Sequence, residues 1–288
     1  AAAYNVAEVT TQASFEIAEL YRQLGSDLMA SARPKNLSAD ELEQYDLLLE
    51  EQATPFEEQA IKLHEANAHL AHDGVYDDGV KASYAALAKL MPARYGKTEA
   101  PPVFVSSLAL SAVAPPPARL EAQLVQAVAR ANAGASGDAE LEFRQLMEAA
   151  PQMGGAALDL GILLRAQGRL EDAAQALAEA VRREPGNAAA LTALGLVQRE
   201  RGEFAAAAES YGQALQADPG HAPAHRNLAV LRDMYMGDPA GSLDHFERYQ
   251  ALTGEERPVT SWIADVKQRA GKSREPIASP EAQAGAVP

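Results

Sequence analysis

The stretch from Gly154 to His221 repeats itself. Leu160-Gly161, Leu164, Gly168, Ala173, Leu177, Ala180 and Pro185 return 34 residues later as Leu194-Gly195, Gln198, Gly202, Ala207, Tyr211, Ala214 and Pro219. A period of this length marks a stacked array of helical hairpins, which leaves few other folds open. Small residues such as Gly161, Ala173 and Ala180 let two antiparallel helices approach closely. Gly168 and Gly202 stand where the first helix of each unit ends and a left-handed residue is needed. Pro185 and Pro219 lack an amide hydrogen and stop the second helix. One hairpin cannot bury its apolar face alone, so neighbours are expected on both sides.

These residues resemble the tetratricopeptide repeat, which asks for small residues at unit positions 8, 20 and 27, large apolar ones near 7, 11 and 24, and Pro at 32. Only Gln198, at position 11, departs from it. The resemblance implies an all-α, helical-hairpin solenoid with a concave groove lined by the first helix of each unit. Carried onto this sequence, that groove is expected to present Leu158, Asp159, Ile162 and Arg165, then Thr192, Leu196 and Arg199, then Arg226, Asn227 and Val230. Three arginines in an acidic chain suit a partner with a carboxylate, and the apolar positions suit a peptide's hydrophobic side chains. The plainer alternative is that Arg165 and Arg199, at helix ends, offset the helix dipole or pair with a local acid such as Glu200. The Lys and Asn arrangement with which some family members clamp chaperone tails is absent.

The array extends beyond its two clear copies. Ala127, Gly134, Ala139, Phe143 and Pro151 fall in phase as a worn first copy, with Gln123 and Gln126 where bulky residues belong. Those glutamines suit an exposed end cap or a contact with a preceding domain. A fourth copy keeps Leu228, Ala229, Phe246 and Tyr249, but its Gly237 falls late, which predicts a first helix longer by half a turn. Thr260 or Ser261 is expected to cap a last helix carrying Trp262, Ile263 and Val266, a lid over the stack. The resulting division is an N-terminal helical domain over 1–99, a Pro-rich linker over 100–118, about four repeats over 119–252, a capping helix over 253–270 and a disordered tail over 271–288.

Ahead of the array, Val6, Val9, Ala13, Ile17, Leu20, Leu24 and Leu28 form one apolar stripe on a long helix ending at Arg33-Pro34. Ser38 and Glu41 make a capping box for a second helix with Leu42, Tyr45, Leu48 and Leu49 inward. Thr54, Pro55 and Glu57 predict the start of a third, running through Phe56, Ala60, Ile61 and Leu63. A fourth spans about 77–90, with Val80, Tyr84, Leu87 and Leu90 inward. Arg33-Pro34-Lys35, Glu43-Gln44-Tyr45, Leu47 to Gln52, Pro55-Phe56-Glu57-Glu58, Ala60-Ile61 and Pro92-Ala93-Arg94-Tyr95 resemble a segment of bacterial cell-envelope tetratricopeptide proteins. Those proteins are linked to TonB/ExbB/ExbD-type energised systems and to gliding motility. The resemblance implies a periplasmic or envelope location, with the cytoplasm as alternative. It also implies earlier repeats, so that the start at Ala1 reads as a processed or truncated end. Between the two parts, Pro101, Pro102, Pro115, Pro116 and Pro117 favour an extended spacer. Its apolar run from Val103 to Val113 suits packing against a neighbouring helix.

Composition narrows the chemistry. The 288 residues contain no Cys, which excludes thiolate catalysis, thiolate metal sites and disulfides within the chain. A net charge of −15 argues against general nucleic-acid binding. No apolar run reaches membrane-spanning length. No phosphate loop, nucleophile elbow or zincin motif occurs. His69 and His72, with His64 and Asp73, Asp77 and Asp78 nearby, suggest a divalent metal; a solvated helix end is the plainer alternative. The acidic run from Asp40 to Glu58 suits either a solvated face or a dock for a basic partner. The sequence thus points to a non-catalytic scaffold without a cofactor, binding a protein or peptide in the groove. A metal-dependent regulator or enzyme built on His64, His69 and His72 and a self-assembling spacer remain alternatives.

Overall fold

The computed structural model describes residues 2–109 and 116–272. The expectations for the start at Ala1, for the middle of the spacer and for the tail beyond 272 lie outside these residues. Among the described residues all regular structure is helical.

Four helical hairpins make the array: α5 (Ala118–Asn132) with α6 (Ser136–Ala149), α7 (Gly155–Ala166) with α8 (Leu170–Arg183), α9 (Ala188–Glu200) with α10 (Phe204–Ala217), and α11 (Ala222–Val230) with α12 (Pro239–Thr253). Helices α1 (Ala2–Met29), α2 (Ala39–His69), α3 (Asp78–Leu90) and α4 (Pro92–Tyr95) precede them, and α13 (Val259–Lys272) follows. Gly168 and Gly202 take φ of +75° and +79° at the turns within their hairpins, where any Cβ would be strained. A Cβ on Gly195 would meet the Tyr211 ring at 2.6 Å, which is why the two helices of that unit pack so closely. Leu160, Leu164, Leu177, Tyr211 and Ala214 are buried in the shared interior. Gln198 is accommodated by a partner rather than by burial of a larger chain: its Oε1 accepts the Ser210 hydroxyl at 2.7 Å.

Gly237 lies one residue beyond the 34-residue step from Gly202. The first helix of the fourth unit does not gain the expected half turn. Residues Leu231–Tyr235 instead form a π turn that absorbs the extra residue and keeps the hairpin in phase. Gln123 and Gln126 are exposed at the free end of the stack. The N-terminal helices dock at its opposite end.

The capping box at Ser38 is present, with Glu41 N donating to Ser38 Oγ and Ser38 N donating to Glu41 Oε2. No new helix starts at Thr54, because α2 runs unbroken through Pro55. The Thr54 hydroxyl donates to the Glu50 carbonyl at 2.7 Å, one turn back. Leu49 and Ala53 before the proline and Ala60 after it are all buried. That packing on both sides outweighs the one amide the proline lacks.

The stripe of α1 faces the other way from expectation. Thr11, Ala18 and Gly25, small residues seven apart, are the buried line, and they let α2 approach. Val9, Ala13, Ile17, Leu20 and Leu24 are exposed, while the side chain of Val6 lies outside the described residues. On α2, Leu42 and Leu48 are likewise exposed and only Leu49 of that expected face is buried.

Asp77 caps α3, accepting Val80 N at 3.0 Å. Val80, Tyr84, Leu87 and Tyr95 share one core with Phe204, Tyr211, Leu228, Tyr235, Phe246 and Trp262 of the last hairpins and α13. The Tyr84 hydroxyl donates to the Met234 carbonyl at 2.6 Å across this junction. Thr260 and Ser261 do not cap α13; their hydroxyls donate back to the Glu256 and Pro258 carbonyls, and the helix starts at Val259. It packs on α12 and α4 alike, so it joins the two parts rather than only lidding the array.

Candidate functional site: the concave groove

From α4, docked at the far end of the array, the chain must return to the start of α5. It does so as an extended strand, Lys97 to Leu108, laid along the concave face and running opposite to the order of the repeats. Tandem prolines at 101 and 102 keep this backbone out of any helix, so its polar groups need partners from the groove wall.

Those partners lie along the array in sequence. Arg226 donates through Nε to the Thr98 carbonyl at 2.7 Å and through Nη2 to its hydroxyl at 2.8 Å. The Glu99 carboxylate forms a short ion pair with Arg199 and accepts the Tyr211 hydroxyl. Asn227 holds both backbone groups of Ala100. Asp159 Oδ1 accepts Val105 N at 2.8 Å. Gly155 N donates to the Leu108 carbonyl at 2.8 Å, and a Cβ on Gly155 would fall on the Ser107 carbonyl oxygen. Glu121 accepts both the Ser107 hydroxyl and Leu108 N.

The strand is anchored at each end. Lys97 is buried and reaches Asp233 at 2.9 Å, Asp265 at 2.6 Å and the Arg94 carbonyl at 2.8 Å. Arg269 closes this cluster on Asp233 and Asp265. Burial works against charge on Asp265, but Arg269 and Lys97 hold its pKa below the usual range. At the other end Leu108 is fully buried in the array core, and Phe104 stacks on Phe143. In between, Pro101, Pro102, Val103 and Val105 line a small apolar cavity of about 100 Å³ with Leu158, Ala189, Thr192, Ala193 and Leu196.

The electrostatics follow from this closure. Burial opposes the charge on Arg199, yet Glu99 outweighs it and raises the guanidinium pKa. The Arg199 guanidinium also lies over the Tyr235 ring, and that of Arg226 over Tyr249 and Trp262. Burial pushes the Asp159 carboxyl up to about 8, and the Val105 amide pulls it back only in part.

Seven of the ten residues expected in the groove therefore do face it: Leu158, Asp159, Thr192, Leu196, Arg199, Arg226 and Asn227. Arg199 and Arg226 reach the same strand and so lie on one side of the stack. Arg165 pairs with Glu200 at 2.5 Å, as the plainer alternative had it, while Ile162 and Val230 are buried in the array cores. The open trough that was expected is filled, because the chain supplies the occupant. Lys97, Thr98, Glu99 and Gly155 carry much of the contact and were not foreseen. The signal for them was a polar triplet ahead of tandem prolines and an apolar run that no helix claims.

His64 does not join His69 and His72, whose rings lie 5.4 Å apart. His64 is buried, with Nε2 3.4 Å from Glu19 and Nδ1 3.4 Å from Ser83, inside the N-terminal bundle. Burial lowers its pKa, with Glu19 acting the other way. His69 and His72 turn instead towards a cavity at the junction, bounded by Tyr84, Arg94 and Met234. Among the described residues no three His, Cys, Asp or Glu are arranged to hold a metal ion.

Residues 158–222 match the tetratricopeptide repeat family. Among solved structures, a crystal structure of MamA is 20% identical, with 50% of this chain and 84% of that one covered at a TM-score of 0.46. PilF of Pseudomonas aeruginosa is 19% identical over 53% of this chain and 69% of its own, at 0.48. The first tetratricopeptide domain of Spaghetti (RPAP3), solved with an HSP90 peptide, is 15% identical over 41% and 95%, at 0.39. No curated protein matches significantly.

Proposed function

We propose that this chain is a non-catalytic protein-interaction scaffold whose concave groove is committed to its own strand, Lys97 to Leu108, so that partners are received on outer surfaces. The observation that carries this reading is the strand itself. Its backbone is held at Thr98, Ala100, Val105 and Leu108 by side chains or amides of the array. A tethered segment is present at an effective concentration that a free peptide must exceed, and this one has little ordering left to lose. Its two anchors are buried as well, Lys97 in the ion-pair cluster with Asp233 and Asp265 and Leu108 in the array core. The groove thus works as a clasp that fixes the N-terminal helices to the array.

This reading narrows the partner. Each groove arginine already has a carboxylate or carbonyl of this chain, so a free carboxylate is not the chemistry that recruits a partner. An envelope location is also proposed, supported by the resemblance of residues 33–95 alone; cell fractionation of the native source tests it.

The test is a titration of a labelled synthetic peptide, residues 97–109, into the full chain. No saturable binding is expected up to millimolar peptide. Saturable binding that shifts the resonances of Leu158 and Leu196 would show a groove open to outside ligands and overturn the reading.

A further inference from the structure

The long first helix leaves its most apolar face in solvent. Val9, Ile17, Leu20 and Leu24 are 68%, 47%, 69% and 50% exposed, while the same helix buries Thr11, Ala18 and Gly25. With Ala13 they make a stripe from residue 9 to 24, about 22 Å at 1.5 Å per residue. An ordinary amphipathic helix turns such a stripe inward. Here the small residues occupy the inner side, and the hairpin with α2 is complete without the stripe.

Charge says what fits against it. Residues 2–69 hold thirteen carboxylates against four Lys and Arg, a net −9 of the chain's −15. Glu16 and Asp27, both exposed, border the stripe, each three or four residues from one of its members. The one cation of α1, Arg22, is paired with Glu19 at 2.9 Å. A second copy would bring the same acidic border against this one, and like charges so placed repel. A helix with an apolar face and basic flanks matches on both counts.

We propose that the outer face of α1 docks one basic amphipathic helix of a partner protein, of about four turns, with its apolar side on Val9, Ile17, Leu20 and Leu24 and its Lys or Arg beside Glu16 and Asp27. The proposal rests on the reading that the groove is closed, since it supplies the outer surface that reading calls for.

The experiment is calorimetry with two designed 18-residue helical peptides, alike in their Leu face but flanked by Lys in one and by Glu in the other. The full chain is expected to bind the Lys peptide with micromolar affinity, at least tenfold more weakly at 0.5 M salt, and to ignore the Glu peptide. Leu20→Asp, an exposed substitution whose fold is checked by its melting curve, should lower the affinity at least tenfold. Leu141→Asp, an exposed substitution on α6, should leave it unchanged. Binding kept in Leu20→Asp, with shifts of the Leu158 and Leu196 resonances, would instead place the peptide in the groove and sink the closed-groove reading. Failure of the Lys peptide to bind, equal binding of both peptides, or a dimer of the chain by light scattering that Leu20→Asp dissolves would each overturn this proposal alone.

Discussion

The side-chain amide of Asn227 holds Ala100 by both of its backbone groups: Oδ1 accepts the Ala100 N–H at 2.7 Å and Nδ2 donates to its carbonyl at 3.2 Å. The contact joins residues 127 positions apart. It reads no side chain, only an extended backbone. Replacing Asn227 by Ala leaves an amide and a carbonyl beside a buried wall without partners. The expected loss is about 1 to 3 kcal/mol by urea denaturation, and Asn227→Asp, which cannot donate, should fall short of wild type as well.

Lys97 is the next test of the clasp. Its ammonium sits between Asp233 and Asp265 with no exposed surface on its side chain. Lys97→Met fills the space but leaves two carboxylates to Arg269 alone. Removing one member of a buried charge cluster costs about 3 to 5 kcal/mol, and the loss should appear as a lower denaturation midpoint.

Gly155 tests how closely the strand lies on the array. A Cβ there would meet the Ser107 carbonyl and Leu108 Cα, both backbone atoms that cannot swing aside. Gly155→Ala should destabilise by about 1 to 3 kcal/mol, against the gain of up to about 1 kcal/mol that the same change brings at an unobstructed helical position. Gly137, in α6 with nothing near its Cβ, is the internal control. Equal effects at the two positions would contradict the packing described.

Asp159 should set the alkaline side of the stability profile. Its folded-state pKa is raised to about 8, above the value near 4 expected unfolded. The folded state therefore keeps a proton that the unfolded state gives up. The stability this contributes is full below about pH 4 and is lost as pH rises through about 8. Burial lowers the pKa of His64, His72 and His221, and takes His245 to about 4. Their contribution has the opposite sign: it is present above about pH 6.5 and lost as pH falls. From about pH 6.5 to 8.5 the buried carboxyls remain, Asp159 and also Glu99, whose pKa burial raises with the same sign, so Tm should fall across that range in wild type. Asp159→Asn keeps the acceptor for Val105 N–H and should flatten the slope.

The sequence made the array legible because its constraints are local. Gly168 and Gly202 mark turns that need a left-handed residue, and Gly195 faces Tyr211 at a fixed offset in the repeat. The direction of the α1 stripe was not legible. A period of three and four residues defines a face but not which neighbour covers it, and Thr11, Ala18 and Gly25 look unremarkable until α2 lies against them. The break expected at Pro55 followed a sound local rule that packing of Ala53 and Ala60 overrides. In the groove, Arg199, Arg226 and Asn227 were visible as polar residues in phase on the first helices. Their occupant was not, because Thr98, Glu99 and Ala100 lie more than 90 residues away and nothing local ties them to the array.

Amide hydrogen exchange of residues 97–108 tests the filled groove most directly. Amides bound by Asn227 and Asp159, those of Ala100 and Val105, should exchange as slowly as the inner amides of α9, opening only with the array itself. Exchange of Ala100 and Val105 at the rate of an unstructured peptide, while α9 stays protected, would show a strand outside the groove and contradict the account.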